Sequence, residues 1–262
     1  MIPARPQVLP PGVRCRDLVV DGRPGWVLEP SEPRPGRPWV WKAEFPDCWP
    51  ELDAALLAEG VHIAHLVVGN TFGCPVALDL WDRFRVLLQA EGLTSRPALV
   101  AHSRGGLYAY GWAARHPEDV AAIFADNPVC DFRSWPGGQG AGPGSPWDWS
   151  LLLACYGFPD AATALAYDRQ PLDVLPVLAA RRLPLLHRVG SADALVPVAE
   201  NTDLLAARYR ALGGSIEVIV TPGAGHHPHG LPDPSPVVAF LLRHLDPGHP
   251  PCVSIRASAF SS

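Results

Sequence analysis

The stretch that decides the fold is Ala98-Leu99-Val100-Ala101-His102-Ser103-Arg104-Gly105-Gly106. Its first residues form a short apolar run of the kind that makes a buried strand. A helix-forming segment, Leu107 to His116, comes directly after it. Between them Ser103 is flanked two positions away by small residues, Ala101 and Gly105. A turn this tight brings those flanking positions together, and bulky side chains there would collide. The pattern predicts strand, sharp turn and helix. The Ser103 hydroxyl then stands at the tip, and the Arg104 amide faces the place where a negative oxygen would form.

A hydroxyl is inert near neutral pH unless a base takes its proton, so a role for Ser103 requires a base and an acid further along the chain. After the run Leu183-Pro184-Leu185-Leu186 comes Arg188-Val189-Gly190-Ser191-Ala192-Asp193-Ala194-Leu195-Val196-Pro197. After Ile216-Glu217-Val218-Ile219-Val220 comes Pro222-Gly223-Ala224-Gly225-His226-His227-Pro228-His229. An imidazole exchanges protons near neutrality, and a carboxylate fixes its tautomer and stabilises the imidazolium. His226 is the candidate base, with His227 and His229 as rivals. Asp193 is the candidate acid. Asp126, which also ends a strand in Ile123-Phe124-Ala125-Asp126, is its rival. The spacing Gly190-x-x-Asp193-x-x-Val196-Pro197 favours Asp193 and leaves Asp126 as a loop-capping or pocket residue. Three histidines in four residues also suit a metal, but no Asp, Glu or Cys partner set is evident nearby, so no metal and no cofactor is expected.

In the order Ser103, Asp193, His226, each just past a strand end, the chain resembles the α/β-hydrolase superfamily over roughly residues 17 to 245. Further phrases resemble a narrower bacterial group that carries prolyl-oligopeptidase-like or esterase labels. They are Trp41-Lys42-Ala43-Glu44-Phe45, Ser103-Arg104-Gly105-Gly106-Leu107-Tyr108-Ala109, Asp126-Asn127-Pro128-Val129-Cys130-Asp131, Ser134-Trp135-Pro136-Gly137-Gly138 and His226-His227-Pro228-His229. The resemblance implies a mostly parallel sheet flanked by helices, with a small lid inserted between strands 6 and 7. It implies an acyl-enzyme on Ser103 and an oxyanion hole of two amides. Arg104 supplies one by position. The second belongs to the loop after Trp39–Ala43, where relatives often carry His-Gly and this chain reads Lys42-Ala43-Glu44-Phe45. The Glu44 or the Ala43 amide is the expected donor. The Glu44 side chain is expected to meet a polar substrate group, to pair with Lys42 or Arg104, or to stay solvated. His102 is expected to pack, and Glu200 and Asn201 to cap or orient the next helix.

The elements around these motifs alternate. Leu18-Val19-Val20, Asp21-Gly22 and Gly25 to Glu29 read as a hairpin. Trp39–Ala43 and Val61–Val68 read as strands, with helices over Pro50–Glu59 and Pro75–Ala90. Val120–Ala125 is the next strand. Helices over Val198–Leu212 and Pro236–Leu245 flank the strand at Ile216. Such alternation predicts an α/β fold with ligands at the carboxyl ends of the strands. Residues from about 131 to 180 interrupt the rhythm and are the expected lid, with short helices over Trp147–Cys155 and Asp160–Tyr167. Trp135, Trp147, Trp149 and Tyr156 there either line a substrate pocket or pack the lid down. His227 is expected on the pocket wall or in loop hydrogen bonding.

The 262 residues suit one domain over residues 1 to 246, with a flexible tail over 247 to 262. Hydrophobic content of 48% and charged content of 18% are those of a chain with a large core. A dispersed net charge of -5 argues against nucleic acid or anionic membrane as a partner. No run is long enough to span a bilayer, and Met1 to Pro11 has no secretory apolar core. The six scattered cysteines read as free thiols of a cytoplasmic protein. The chemistry expected is cleavage of a small or medium carboxylic ester. Amide or peptide cleavage, or acyl transfer, uses the same three residues, and a noncatalytic or non-hydrolytic binding protein is the remaining alternative. The oligomeric state is left open.

Overall fold

The computed structural model describes residues 9–245, so the expectations for the tail over 247–262 and for Cys252 lie outside the described residues. Eight strands form one sheet in the order β1-β2-β4-β3-β5-β6-β7-β8. They are β1 (Arg14–Val20), β2 (Arg23–Glu29), β3 (Trp39–Lys42), β4 (His62–Leu66), β5 (Ala98–His102), β6 (Ala122–Asp126), β7 (Leu185–Gly190) and β8 (Ile216–Thr221). β1 and β2 form the antiparallel hairpin, joined by Asp21 and Gly22, both with positive φ. β2 also runs antiparallel to β4, and every pair from β4 to β8 is parallel. β1 begins four residues before the expected Leu18. Arg14 and Arg16 hold it to Glu29 at the sheet edge, so that stretch has the ladder of a strand without its hydrophobicity.

The pleat sorts the core into two faces. Trp39, Trp41, Leu99, Ala101, Ile123 and Ala125 point to one face. There they meet α2 (Pro75–Ala90) and α3 (Gly105–Arg115). Trp41 stacks on Trp81 at 4.2 Å and tilts against Trp112 at 5.1 Å. Val40, Val100, Ala122 and Phe124 point to the other face. That face is covered by α1 (Pro50–Ala58) and α8 (Ser235–Leu245). Both faces are dry, as a parallel sheet requires.

Residues between β6 and β7 build the insertion: α4 (Pro146–Tyr156), α5 (Ala161–Leu165) and α6 (Leu175–Ala180). Its core is an apolar cluster that includes Phe72, Leu107, Phe132, Trp135 and Leu152. The glycine-rich segment over 137–144 forms turns and bends. α6 was not among the expected elements. Neither was the break at Asn201, which divides Val198–Leu212 into a single 3-10 turn (Val198–Glu200) and α7 (Thr202–Ala211). The Asn201 carboxamide accepts from the Cys130 amide at 2.8 Å and donates to Ser134 Oγ at 3.1 Å and to the Pro197 carbonyl at 3.0 Å. These partners outcompete continuous helix. They tie the base of the insertion to the loop after β7.

Candidate active site

The register of the sheet brings the site together. His102 pairs with Asp126, and Asp126 pairs with Arg188. The loops that leave β5, β6, β7 and β8 therefore emerge side by side.

Ser103 lies just past β5 with φ of 51°, a left-handed conformation that a serine adopts only when its surroundings impose it. Its amide donates to the Asp126 carbonyl at 3.0 Å, and its carbonyl accepts from Gly106 and from Val129. The turn is as tight as the small residues implied, although the strictest position is Gly106. A Cβ at Gly105 would lie 3.3 Å from Glu44 Cβ, but one at Gly106 would lie 2.6 Å from the Val129 carbonyl oxygen.

His226 lies on the loop after β8 and Asp193 on the loop after β7. His226 Nε2 is 2.9 Å from Ser103 Oγ, and His226 Nδ1 is 2.6 Å from Asp193 Oδ2. The other Asp193 oxygen accepts from the amides of Leu195 at 3.0 Å and Val196 at 2.9 Å. Both carboxylate oxygens are thereby engaged. All three side chains are nearly buried. With its proton on Nδ1 toward Asp193, the imidazole presents a lone pair to the serine hydroxyl.

Asp126, the rival acid, is fully buried and turned elsewhere. It accepts from Arg188 at 3.1 Å and from the Gly230 amide at 2.5 Å. It also lies 3.4 Å from His229 Nδ1, close enough for an ion pair. The carboxylate on His226 is Asp193.

Asn127 was not singled out from the sequence, yet it joins the loops that carry Asp193 and His226. Its Nδ2 donates to the His226 carbonyl at 2.8 Å and its Oδ1 accepts from the Gly190 amide at 2.8 Å. The two loops are packed so closely that a Cβ at Gly190 would lie 2.4 Å from the Gly225 carbonyl oxygen. The signal available was Asn127 itself, a residue tolerant of positive φ just past a strand end; its φ is 43°.

The Ala43 amide donates to the Val100 carbonyl at 2.9 Å and so continues the sheet. This removes Ala43 from the two candidate donors after β3. The Glu44 and Arg104 amides have no hydrogen-bond acceptor among the described residues. Glu44 also pairs through its side chain with Arg104, at 3.2 Å, and Lys42 pairs instead with Asp53 at 2.8 Å. Burial pushes the Glu44 carboxyl up against the opposing pull of Arg104 and Tyr108. The Arg104 guanidinium lies over the rings of Phe45 and Phe72. It donates to Asn70 Oδ1 at 2.6 Å and stands 3.7 Å from Asp148 of α4. The residue after the serine thus anchors the insertion above it.

The expected aromatic wall separates into different environments. Trp135 packs at 6.4 Å from Phe72, and Trp149 meets Phe132 at 6.0 Å. Trp147 is 73% exposed. A cavity of about 300 Å³ under the insertion is lined by Leu78, Leu107, Tyr156 and Tyr167, and by none of the three tryptophans. His227 is exposed beside His226, with its ring 4.7 Å away. Burial, then the neighbouring His226 and His229, holds its pKa below the usual imidazole value. His102 is fully buried among Phe124 and His229, and neither ring nitrogen has a hydrogen-bond partner among the described residues.

No protein-family model and no curated protein sequence matches this chain. Solved structures do. A puromycin-hydrolyzing peptidase of Mycobacterium tuberculosis superposes with a TM-score of 0.71 at 15% identity, over 92% of this chain and 41% of that one. An acylaminoacyl peptidase of Pyrococcus horikoshii gives 0.67 at 13% identity, over 89% of this chain and 42% of that one. A membrane phospholipase A gives 0.53 at 18% identity, over 82% of this chain and 80% of that one. The chain spans about two-fifths of the length of the two peptidases (41% and 42%). No helix among the described residues is long and apolar enough to cross a membrane. The sheet order, the antiparallel hairpin at its edge and these likenesses together identify the architecture: the chain has the α/β-hydrolase fold, which these peptidases and the phospholipase share.

Proposed function

We propose that this protein is a serine hydrolase that cleaves a carboxylic ester through an acyl-enzyme on Ser103. The observation that carries the proposal is the unbroken chain Ser103 Oγ, His226, Asp193, with contacts of 2.9 and 2.6 Å. Ser103 Oγ attacks the ester carbonyl carbon while His226 Nε2 takes its proton. Asp193 stabilises the imidazolium. The negative oxygen of the tetrahedral intermediate is held by the amides of Arg104 and Glu44. Collapse breaks the bond to the alcohol, which leaves with the proton from His226. A water molecule, deprotonated by the same imidazole, then attacks the acyl-enzyme and frees the acid. Each oxyanion donor is worth about a hundred- to a thousandfold in rate. These steps draw on side chains, backbone and water alone, within the sheet and the insertion that covers it.

An amide substrate, or transfer of the acyl group to another acceptor, uses the same acyl-enzyme. The likeness to two peptidases supports the amide as a second reading. A noncatalytic role is disfavoured by the intact proton path. The test is covalent labelling. A fluorophosphonate should label the wild type and leave Ser103→Ala unlabelled, and p-nitrophenyl acetate should turn over faster than the matched anilide. Equal labelling of both proteins would refute Ser103 as nucleophile, and a faster anilide would favour the amidase reading.

A further inference from the structure

His226, His227 and His229 form a triangle of imidazoles. Their ring centroids are 4.7, 5.1 and 5.1 Å apart, and each ring meets the next edge to face. One ligating nitrogen from each lies within 4.8 Å of the others. In a tetrahedral zinc site the nitrogens stand about 3.3 Å apart, as Zn–N bonds of about 2.0 Å dictate. His227, the exposed ring of the three, is the one with room to close that gap.

The residues behind the triangle also suit a metal. Metal-binding imidazoles commonly present their second nitrogen to a carboxylate, which fixes the tautomer and raises ligand basicity. Two of these three rings already have one. Asp193 stands 2.6 Å from His226 Nδ1, and Asp126 stands 3.4 Å from His229 Nδ1. His229 Nδ1 is buried and has no hydrogen-bond partner within normal range among the described residues, so Asp126 at 3.4 Å is the carboxylate it faces. Nε2 is then the nitrogen each ring would offer a metal, and on His226 the ion would displace the Ser103 hydroxyl, which stands 2.9 Å away. Neither carboxylate is near the histidines in sequence, since β6 and β7 deliver them.

We propose that the His226, His227 and His229 cluster is an inhibitory site for a transition-metal ion of the zinc class. The ion takes the Nε2 lone pair of His226, together with His229 and His227, and solvent completes its shell. Ser103 then loses its proton acceptor. The binding half of this proposal stands on the three imidazoles alone, and the inhibitory half rests on the hydrolase reading above.

The test titrates the full chain, stripped with EDTA, with zinc chloride by calorimetry, and in parallel monitors p-nitrophenyl acetate hydrolysis. One zinc per chain is expected in the micromolar range, with inhibition over the same concentrations and recovery on adding EDTA. His227→Ala removes a ligand from an exposed position and should weaken zinc binding about tenfold or more. Its own zinc inhibition should shift equally. Asp126→Asn, which removes the carboxylate behind His229, should weaken binding about 10- to 100-fold. Ser103→Ala should bind zinc at least as tightly as the wild type, although it cannot turn over. Failure to bind zinc below millimolar concentration, or undiminished binding by His227→Ala, overturns the site. Tight binding lost in His227→Ala, in a protein that hydrolyses no ester or amide, would support the site and sink the hydrolase reading instead.

Discussion

Asn127 offers the sharpest test of how the loops of Asp193 and His226 are kept in register. Its carboxamide is nearly buried and makes two contacts of 2.8 Å, one to the His226 carbonyl and one to the Gly190 amide. Asn127→Ala leaves both backbone groups buried without a partner, at about 1–3 kcal/mol each. Alanine also tolerates the left-handed φ of 43° less well, which adds about 1–2 kcal/mol. The expected loss of stability is therefore about 3–8 kcal/mol, enough to unfold a marginal protein. Asn127→Asp separates the two contacts. It keeps an acceptor for Gly190, but in its ionised form it turns lone pairs toward the His226 carbonyl. The base loop should shift while the acid loop stays. A displacement near 1 Å costs about a hundredfold in turnover. The assay is ester hydrolysis at saturating and limiting substrate, with a thermal melt of each variant. Loss of positioning should appear in kcat and leave KM nearly unchanged, because no substrate contact is removed. A folded Asn127→Asp protein with wild-type kcat would refute the reasoning.

Two further predictions concern buried charge. Burial holds His65 at a pKa of about 4 and His102 and His187 at about 3, so all three are neutral in the folded protein near neutral pH. The unfolded chain binds those protons near pH 6.5, and stability is thus fully present above that pH and lost as pH falls toward 4 and then 3. With all three contributing, the limiting slope is about 4 kcal/mol per pH unit; equal denaturant midpoints at pH 7.5 and 5.5 would contradict it. Lys42 is fully buried and donates to Asp53 at 2.8 and 2.9 Å and to the Cys48 carbonyl at 2.8 Å, which braces the loop that carries Glu44. Lys42→Met or Asp53→Leu alone should cost about 3–5 kcal/mol by stranding the other charge, whereas the double variant should lose less than either. Single variants with unchanged denaturant midpoints would show that the pair is dispensable.

How much of the fold was legible in the sequence depends on the range of the interactions. The turn at Ser103 is written locally, because the collision it avoids lies within a few residues, and the same holds for the Asp21-Gly22 hairpin. The sheet was legible because strand residues alternate between two apolar faces. Val40 between Trp39 and Trp41 points one way and its neighbours the other. The insertion was legible as an interruption, but its helix α6 was not, since only six residues, Leu175–Ala180, carry it. The break at Asn201 was hidden for a different reason. Two partners of Asn201, the Cys130 amide and Ser134, lie about 70 residues back, and local propensity favours continuous helix there.

Range also explains why the candidate site was legible as residues without a frame. Ser103, Asp193 and His226 each sit in a recognisable local setting, and their meeting is a consequence of strand order alone. Asp126 looked like an acid because it ends a strand as Asp193 nearly does. Its partners are Arg188, Gly230 and His229, all distant in sequence. Cross-strand pairing of Asp126 with Arg188 in the sheet register decides its role, and no local pattern encodes that pairing. The carboxylates beside the three histidines, Asp126 at the end of β6 and Asp193 on the loop after β7, likewise arrive from distant sequence that no local pattern pairs with them. A local rule therefore identifies which side chains can carry chemistry. The sheet register decides which charge each of them meets, and with it whether an aspartate faces an imidazole, as Asp193 does, or an arginine, as Asp126 does.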